Sequence, residues 1–97
     1  MPAYGYLEDT DALVGRLHRI EGQVRGIERM ISEERYCIDI LTQISAATTA
    51  LDSIALKLLE GHVGSCVATA LASGDEEAAA AKSRELIDAV ERFARAR

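Results

Sequence analysis

Residues 36–66 read YCIDILTQISAATTALDSIALKLLEGHVGSC, and this stretch decides the fold that the chain is expected to adopt. Its apolar residues recur at alternating steps of four and three, the heptad pattern of a helix that packs lengthwise against other helices. The repeating positions are Cys37, Leu41, Ile44, Thr48, Leu51, Ala55, Leu58 and His62. We therefore predict one long helix whose heptad seam, defined by these positions, faces another helix.

Both ends of this predicted helix carry potential metal ligands. His62 and Cys66 are one helical turn apart in sequence, so they project from the same side of a helix. Cys37 begins the seam, and a continuous helix rising ~1.5 Å per residue would hold it roughly 40 Å from Cys66. A second copy packed antiparallel would bring Cys37 of one chain beside His62 and Cys66 of the other. The sequence therefore predicts an obligate dimer with metal or thiol sites at its ends.

The chemistry of these side chains favours one metal over another. Two thiolates and one imidazole are soft and borderline ligands, and a set of three suits Cu(I) better than zinc, whose structural sites almost always take four ligands. A cysteine on an apolar seam is also commonly a small buried hydrophobe, so both interpretations stay open at this point. We find no nucleophile accompanied by a base and an orienting group, and we predict that the protein is not an enzyme.

A second heptad pattern precedes the long helix. It begins between residues 9 and 11, where acidic residues and Thr10 offer helix caps. Its apolar positions are Leu13, Leu17, Ile20, Val24, Ile27 and Ile31. Residues 1–8 lack any periodicity and are expected to form a flexible arm, with residues 9–97 forming a single helical domain. Glycine disfavours a helix by ~1 kcal/mol relative to alanine, so the stripe of Gly15, Gly22 and Gly26 predicts close approach of another backbone, from protein or DNA.

The remaining sequence predicts one shorter helix. Residues 32–35 form a polar connector, and the second helix is expected to stop at Ser73 and Gly74, with Gly61 and Gly64 as candidate positions for a kink or break. Acidic residues at 75–77 suit the first turn of a third helix. That helix has apolar positions at Ala78, Ala81, Leu86 or Ile87, Val90 and Phe93. The predicted fold class is all-α, with long, long and short helices forming an antiparallel dimeric bundle.

Composition limits the class of protein further. A chain of 97 residues forms one small domain, for which oligomerisation is a natural supplement to a limited core. No unbroken apolar run approaches the ~20 residues that cross a bilayer, and no signal peptide is evident, so we expect a cytoplasmic protein without a membrane partner. The net charge of −5 argues weakly against nucleic acid. The arginines of the first helix point the other way, and they are Arg16, Arg19, Arg25 and Arg29.

Several sequence segments together resemble a known family. They are residues 16–27 (RLHRIEGQVRGI), 36–39 (YCID) and 43–46 (QISA), followed by His62 and Cys66 at the matching spacing. Over roughly residues 9–93 the chain is similar to the copper-sensitive operon repressor family. The resemblance implies a helical dimer that pairs into a tetramer and represses genes of metal efflux or stress. It further implies that Cys37 of one protomer and His62 and Cys66 of the other bind Cu(I) in trigonal geometry.

The resemblance also implies roles for residues outside the metal site. Tyr36 and Glu85 match the pair that copper-responsive members use to couple metal binding to DNA release. Arg16 matches an arginine implicated in DNA contact, whereas a position that is basic in some members is Ser53 here. The residues expected to contact operator DNA are Arg16, Arg19, Arg25 and Lys57. The expected function is repression by the apo protein, with release of operator DNA when Cu(I) binds.

Two other functions remain as alternatives. The same fold could sense formaldehyde or reactive sulfur through Cys37, and Pro2 is a feature of formaldehyde sensors. The presence of both His62 and Cys66 argues against these sensors, which generally lack one or the other. The second alternative is a copper-buffering or thiol-redox protein without DNA binding, which the low net charge favours and the arginines of the first helix oppose.

Overall fold

The structure, a computed structural model, describes residues 4–95. A 3₁₀ turn at Leu7–Asp9 leads into helix α1 (Thr10–Ser32), which is followed by α2 (Cys37–His62). The chain continues through a π-helical segment, Val63–Val67, into α3 (Ala68–Ala72), and α4 spans Glu76–Arg95. Within residues 4–95 there is no β-strand. The predicted all-α class is confirmed, with the predicted second helix running from α2 to the end of α3.

Helix α1 begins and ends close to the predicted positions, but no side-chain hydrogen bond caps its N-terminus. The hydroxyl of Thr10 donates a hydrogen bond to the carbonyl of Leu7 at 2.8 Å as α1 begins. At the other end, Glu34 lies in the left-handed region with φ of 56°. Its N–H bonds the Ile31 carbonyl at 3.1 Å, and the Arg35 N–H bonds the Met30 carbonyl at 3.0 Å. This pair of bonds is a Schellman motif, in which Glu34 occupies the position that usually holds glycine.

The start of α4 also follows the sequence. Gly74 has φ of 76°, as expected of the glycine that ends a helix. The Asp75 carboxylate then accepts the backbone N–H of Ala78 at 3.1 Å and so caps the first turn of α4. Residues 75–77 were predicted to begin this helix. They are its N-cap and part of its first turn.

The segment around Gly61 and Gly64 does not break the helix. The backbone instead changes to π-helical hydrogen bonding over Val63–Val67 and returns to α-helix at Ala68. Short π-helical segments within α-helices are uncommon and occur frequently at functional sites. The candidate kink of the sequence analysis is thus a change of helix type directly after His62.

One of two compact units of the chain, Tyr6–Leu58, contains the main apolar cluster. Leu13 and Ile20 of α1 pack with Ile54 of α2, and all three are at most 7% exposed. Tyr6 and Ala50 pack against this cluster and are partly buried. Tyr6 lies within the arm, residues 1–8, that was expected to be flexible. The first three residues of this arm lie outside the described part of the chain.

The heptad seams of α1 and α2 are only partly covered within the chain. Between Leu13 and Ile20 on α1, the seam residue Leu17 is exposed. On α2 the buried residues are Ala47 and Ile54, which lie beside the predicted seam and not on it. The exposed seam residues are Leu17, Val24 and Ile31 on α1 and Leu41, Ile44, Leu51 and Leu58 on α2. Exposed apolar residues therefore recur along each of the two helices, and we call this set of residues the exposed seam.

The glycine stripe of α1 does not meet another backbone within the chain. A Cβ atom built on Gly15, Gly22 or Gly26 would have no neighbouring atom within 4 Å. The predicted close approach is therefore absent from the described part of a single chain.

The second compact unit contains Gly5 and the residues from Leu59 onward. Here α4 contacts both the π-helical segment and α3. Val67, in the π-helical segment, is buried. These contacts place a face of α4 against the part of the chain that follows His62.

By length and composition alone, the helical stretch Cys37–Ala72 could cross a membrane. It has 36 residues and a mean hydropathy of 1.3 in its most apolar window. This membrane-length helix was not predicted, because the prediction rested on unbroken apolar runs. An averaged hydropathy window tolerates isolated charged residues within the helix. The core helix of a bundle has the same length and composition, so the observation is weak evidence for a membrane.

Candidate metal centre

His62 and Glu85 form the best defined contact among the predicted site residues. His62 is the last residue of α2, and Glu85 lies in α4, which packs against the π-helical segment that follows His62. The Nε2 atom of His62 is 3.6 Å from Oε1 of Glu85. This separation is longer than a hydrogen bond but short enough for electrostatic attraction. The Glu85 carboxylate therefore faces the Nε2 edge of the imidazole ring.

The orientation of His62 determines which of its nitrogens is available to a metal. A neutral imidazole carries one N–H donor and one acceptor nitrogen. With Nε2 directed at Glu85, Nδ1 is the nitrogen on the other side of the ring from this contact. The imidazole side chain is 30% exposed, so it is partly shielded but not sealed from solvent. Nδ1 is therefore the His62 nitrogen that does not face Glu85.

Cys66 lies in the π-helical segment on the turn after His62. Its side chain is partly buried and is not in a disulfide bond. In an α-helix a step of four residues passes slightly beyond one turn, whereas the wider π-helical turn makes the same step fall just short of one. In either case the two side chains project from the same side, as the sequence analysis predicts.

Cys37 is the first residue of α2 and belongs to the other compact unit. It is exposed and is also not in a disulfide bond. Within residues 4–95 of a single chain, no three side chains of His, Cys, Asp or Glu come together in a group that could hold a metal ion. Of the three predicted ligands, only His62 and Cys66 lie one helical turn apart.

The donor set fits Cu(I). A thiolate, an imidazole with a free Nδ1 and a second thiolate are the soft and borderline ligands that this ion prefers. Cys66 and His62 lie on a partly buried surface, and Cys37 is accessible to a second molecule. Hard cations such as Mg²⁺ and Ca²⁺ prefer oxygen ligands, which this set does not provide.

One residue next to this site, Lys82, was not predicted from the sequence. Lys82 places its Nζ atom 3.7 Å from Oε1 of Glu85, the same oxygen that faces His62. The signal was available, because residues three apart on a helix are neighbours and Lys82 precedes Glu85 by three. The Lys82 ammonium group therefore lies beside the Glu85 carboxylate.

Tyr36, the other residue expected to support the site, lies directly before α2. Its backbone carbonyl accepts the N–H groups of Asp39 at 3.1 Å and Ile40 at 3.3 Å. Its side chain is 67% exposed. Tyr36 thus begins the helix that Cys37 belongs to, with its phenol ring accessible from solvent.

The four residues expected to contact DNA differ in how exposed they are and in whether an acidic side chain lies beside them. Arg16 and Arg19 are exposed on α1. Arg25 is exposed too, but its guanidinium forms an ion pair with Glu21 at 2.9 Å. Lys57 is partly buried and its Nζ lies 3.8 Å from the carboxylate of Asp9. Of the four, Arg16 and Arg19 are therefore the better placed to bind phosphate.

Comparison with known proteins identifies a protein family and individual relatives to which this chain is similar. Residues 9–92 match the family model described as metal-sensitive transcriptional repressor. The copper-sensing transcriptional repressor RicR of Mycobacterium tuberculosis (strain ATCC 25618 / H37Rv) is 58% identical over 72 residues, covering 74% of this chain and 75% of the relative. The copper-sensing transcriptional repressor CsoR of Bacillus subtilis (strain 168) is 50% identical over 86 residues, covering 89% of this chain and 82% of the relative.

A solved structure is also similar. It is the crystal structure of the copper-sensing repressor CsoR with Cu(I) from Geobacillus thermodenitrificans NG80-2. The two structures superpose with a TM-score of 0.82 at 46% sequence identity, covering 90% of this chain and 88% of the other. At this level of identity the similarity extends beyond the fold to the sequence itself.

Proposed function

The chain belongs to the family of metal-sensitive transcriptional repressors, and we propose that it is a Cu(I)-responsive repressor that binds operator DNA without metal and releases it when Cu(I) binds. The observation that carries this proposal is the orientation of His62, whose Nε2 faces Glu85 and whose Nδ1 is left for a metal. Relatives at 58% and 50% identity are named copper-sensing repressors, which supports copper as the effector.

We propose that the metal site is shared by two protomers. Cys37 and His62 are the first and last residues of the same helix, so the length of α2 prevents both from binding one ion within a chain. An antiparallel second copy would place its Cys37 beside His62 and Cys66 of the first. Two such sites would then form in each dimer, related by the two-fold axis.

The exposed seam supports the dimer. Large apolar side chains rarely remain exposed in a continuous line on a monomeric soluble protein. The exposed seam residues recur at steps of seven on α1 and of three and seven on α2, a heptad spacing that suits packing against a second helical pair. Two such dimers would pair into the tetramer that the family resemblance implies.

Coupling between the metal site and the DNA-binding surface would run through His62. Bound Cu(I) would supply a soft Lewis acid that holds Nδ1. With Nδ1 committed as a ligand, the ring proton has to stay on Nε2, where it faces the carboxylate of Glu85. Because Glu85 belongs to α4, this contact links the site to a helix outside α1 and α2. A metal-dependent shift of α4 could then bias the protein toward a conformation with lower affinity for DNA.

DNA binding is proposed to use the exposed arginines of α1. Arginine neutralises phosphate charge and releases counterions, so the affinity should fall steeply with salt. The whole chain carries a net charge of −5, which makes a localised basic surface necessary. Family membership also favours a DNA-binding protein over the alternative of a copper buffer that binds no DNA.

Mixing two inactive variants tests the shared site directly. Chains with Cys37→Ala and chains with Cys66→Ala should each lose tight Cu(I) binding as homodimers. A mixed dimer, however, keeps one complete site, so random mixing should recover about a quarter of the wild-type capacity. The measurement is Cu(I) competition with a chromogenic chelator after the chains have been unfolded and refolded together.

Controls make this experiment specific. Mixing Cys37→Ala chains with differently tagged Cys37→Ala chains should recover no tight site. If the Cys37→Ala and Cys66→Ala mixture also recovers none, although mixed dimers are isolated by their two tags, the ligands do not come from two protomers and the proposed site is wrong.

A further inference from the structure

A glycine of the N-terminal segment contacts the helical turn that carries His62. A Cβ atom built on Gly5 would overlap the backbone carbonyl of Gly61 and lie 2.7 Å from its Cα atom. Any side chain at position 5 would therefore collide with this backbone. Gly61 immediately precedes His62 in α2, and both glycines belong to the same compact unit. The contact is consequently possible only because residue 5 is glycine.

This close approach distinguishes Gly5 from the other glycines of known surroundings. A Cβ atom on Gly15, Gly22, Gly26 or Gly64 would meet no atom within 4 Å. Those positions have room for a methyl group, whereas Gly5 does not. The comparison shows that the packing of Gly5 on Gly61 is a local feature, and it supplies matched positions for control substitutions.

The part of the helix that Gly5 contacts is intrinsically weak. Gly61 and Gly64 are poor helix formers. The hydrogen bonding changes to the π-helical pattern at Val63, two residues after Gly61. A segment of this kind opens more easily than a regular α-helix, so an external contact has a larger influence on where the next side chain lies. That next side chain is the imidazole of His62.

We propose that residues 4 and 5 form an N-terminal strap, which docks on Gly61 and holds His62 in position for the metal site. The strap rests on the proposed function for its role in metal binding. Its docking on Gly61 is a property of the apo protein and can be tested without metal. With the strap in place, His62 is held from two sides, by the strap through Gly61 and by Glu85 through Nε2.

The strap predicts a graded effect of side-chain size at position 5. Gly5→Ala should displace the strap partly and Gly5→Leu fully, because a larger side chain overlaps more of the Gly61 backbone. Gly22→Ala is the matched control, since it makes the same chemical change in α1 where a methyl group meets nothing. Thermal unfolding of all variants, followed by circular dichroism, verifies that each remains folded.

Hydrogen exchange of the apo protein measures docking. The backbone amides between Gly61 and Cys66 should exchange at least about threefold faster in Gly5→Leu, with Gly5→Ala intermediate, because loss of a packing contact increases local opening. Gly22→Ala should leave their exchange unchanged. Equal exchange in Gly5→Leu and the parent would overturn the strap, whatever the protein does with copper.

Metal transfer measures positioning. Cu(I) should move from Gly5→Leu to a chromogenic chelator several-fold faster than from the parent or from Gly22→Ala, because His62 is less well held. Faster amide exchange with unchanged Cu(I) transfer would overturn the positioning role. If the parent itself binds no Cu(I), the proposed function fails, while the exchange experiment still decides whether the strap docks.

Discussion

Leu51→Ala is expected to weaken the dimer, because Leu51 lies in the middle of the exposed seam. Its side chain is 48% exposed in a single chain, so about half of its apolar surface remains to be covered by a partner. Truncation to alanine removes three carbon atoms, which are worth about 2.4 kcal/mol when fully buried at ~0.8 kcal/mol each. The roughly half of this free energy that depends on association is about 1.2 kcal/mol per chain. Leu51→Ala in both chains of a symmetric dimer therefore removes about 2.3 kcal/mol of association free energy, which weakens the dimer roughly 50-fold.

Leu56→Ala provides the matched control for this measurement. Leu56 is 56% exposed and lies on the same helix, but a step of five residues turns it about 140° away from Leu51. Neither substitution replaces a residue of the buried cluster, to which α2 contributes Ile54. Sedimentation equilibrium gives the dimer dissociation constants, and the concentration dependence of Tm gives an independent estimate. Equal weakening by the two substitutions would show that the exposed seam is not the dimer interface.

Three further predictions concern the switch, the DNA surface and the connector. His62→Ala should still bind Cu(I) through the two thiolates but should lose most of a coupling free energy that is typically ~1–3 kcal/mol; anisotropy of labelled operator DNA, with and without Cu(I), would contradict this if release stayed as complete as in the parent. Arg16→Ala should weaken DNA binding several-fold and reduce the slope of log affinity against log salt by about 0.9 for each subunit whose Arg16 contacts phosphate, whereas Arg84→Ala, an exposed change on α4, should not; identical slopes for both variants would remove Arg16 from the DNA surface. Glu34→Gly should raise the free energy of unfolding by about 0.5–1 kcal/mol, because φ of 56° strains a side-chain-bearing residue more than glycine loses in entropy; urea denaturation would refute this if the variant were less stable.

The candidate site was accessible to sequence reasoning only in part. The step from His62 to Cys66 is local, so helix geometry alone places both on one side. Glu85 is different, because periodicity alone gives a solvated surface residue, and only the family resemblance suggested a role. Its distance of 3.6 Å from His62 depends on how α4 packs against the helix end. The contact of Lys82 with Glu85 could have been predicted from spacing on α4, whereas no sequence pattern announces the contact between Gly5 and Gly61.

The helices of this protein and most of their limits could be predicted from the sequence alone, because turns, caps and heptad periodicity arise from residues within a few positions of one another. Gly74 and Asp75 mark the start of α4 through local backbone conformation and a bond to a neighbour three residues away, so their signals can be recognised before any fold is known. The tertiary structure was needed to show which seam residues are buried, which nitrogen of His62 faces Glu85 and where Gly5 packs. These features depend on contacts between residues far apart in the chain, and such contacts are set by the packing of whole helices.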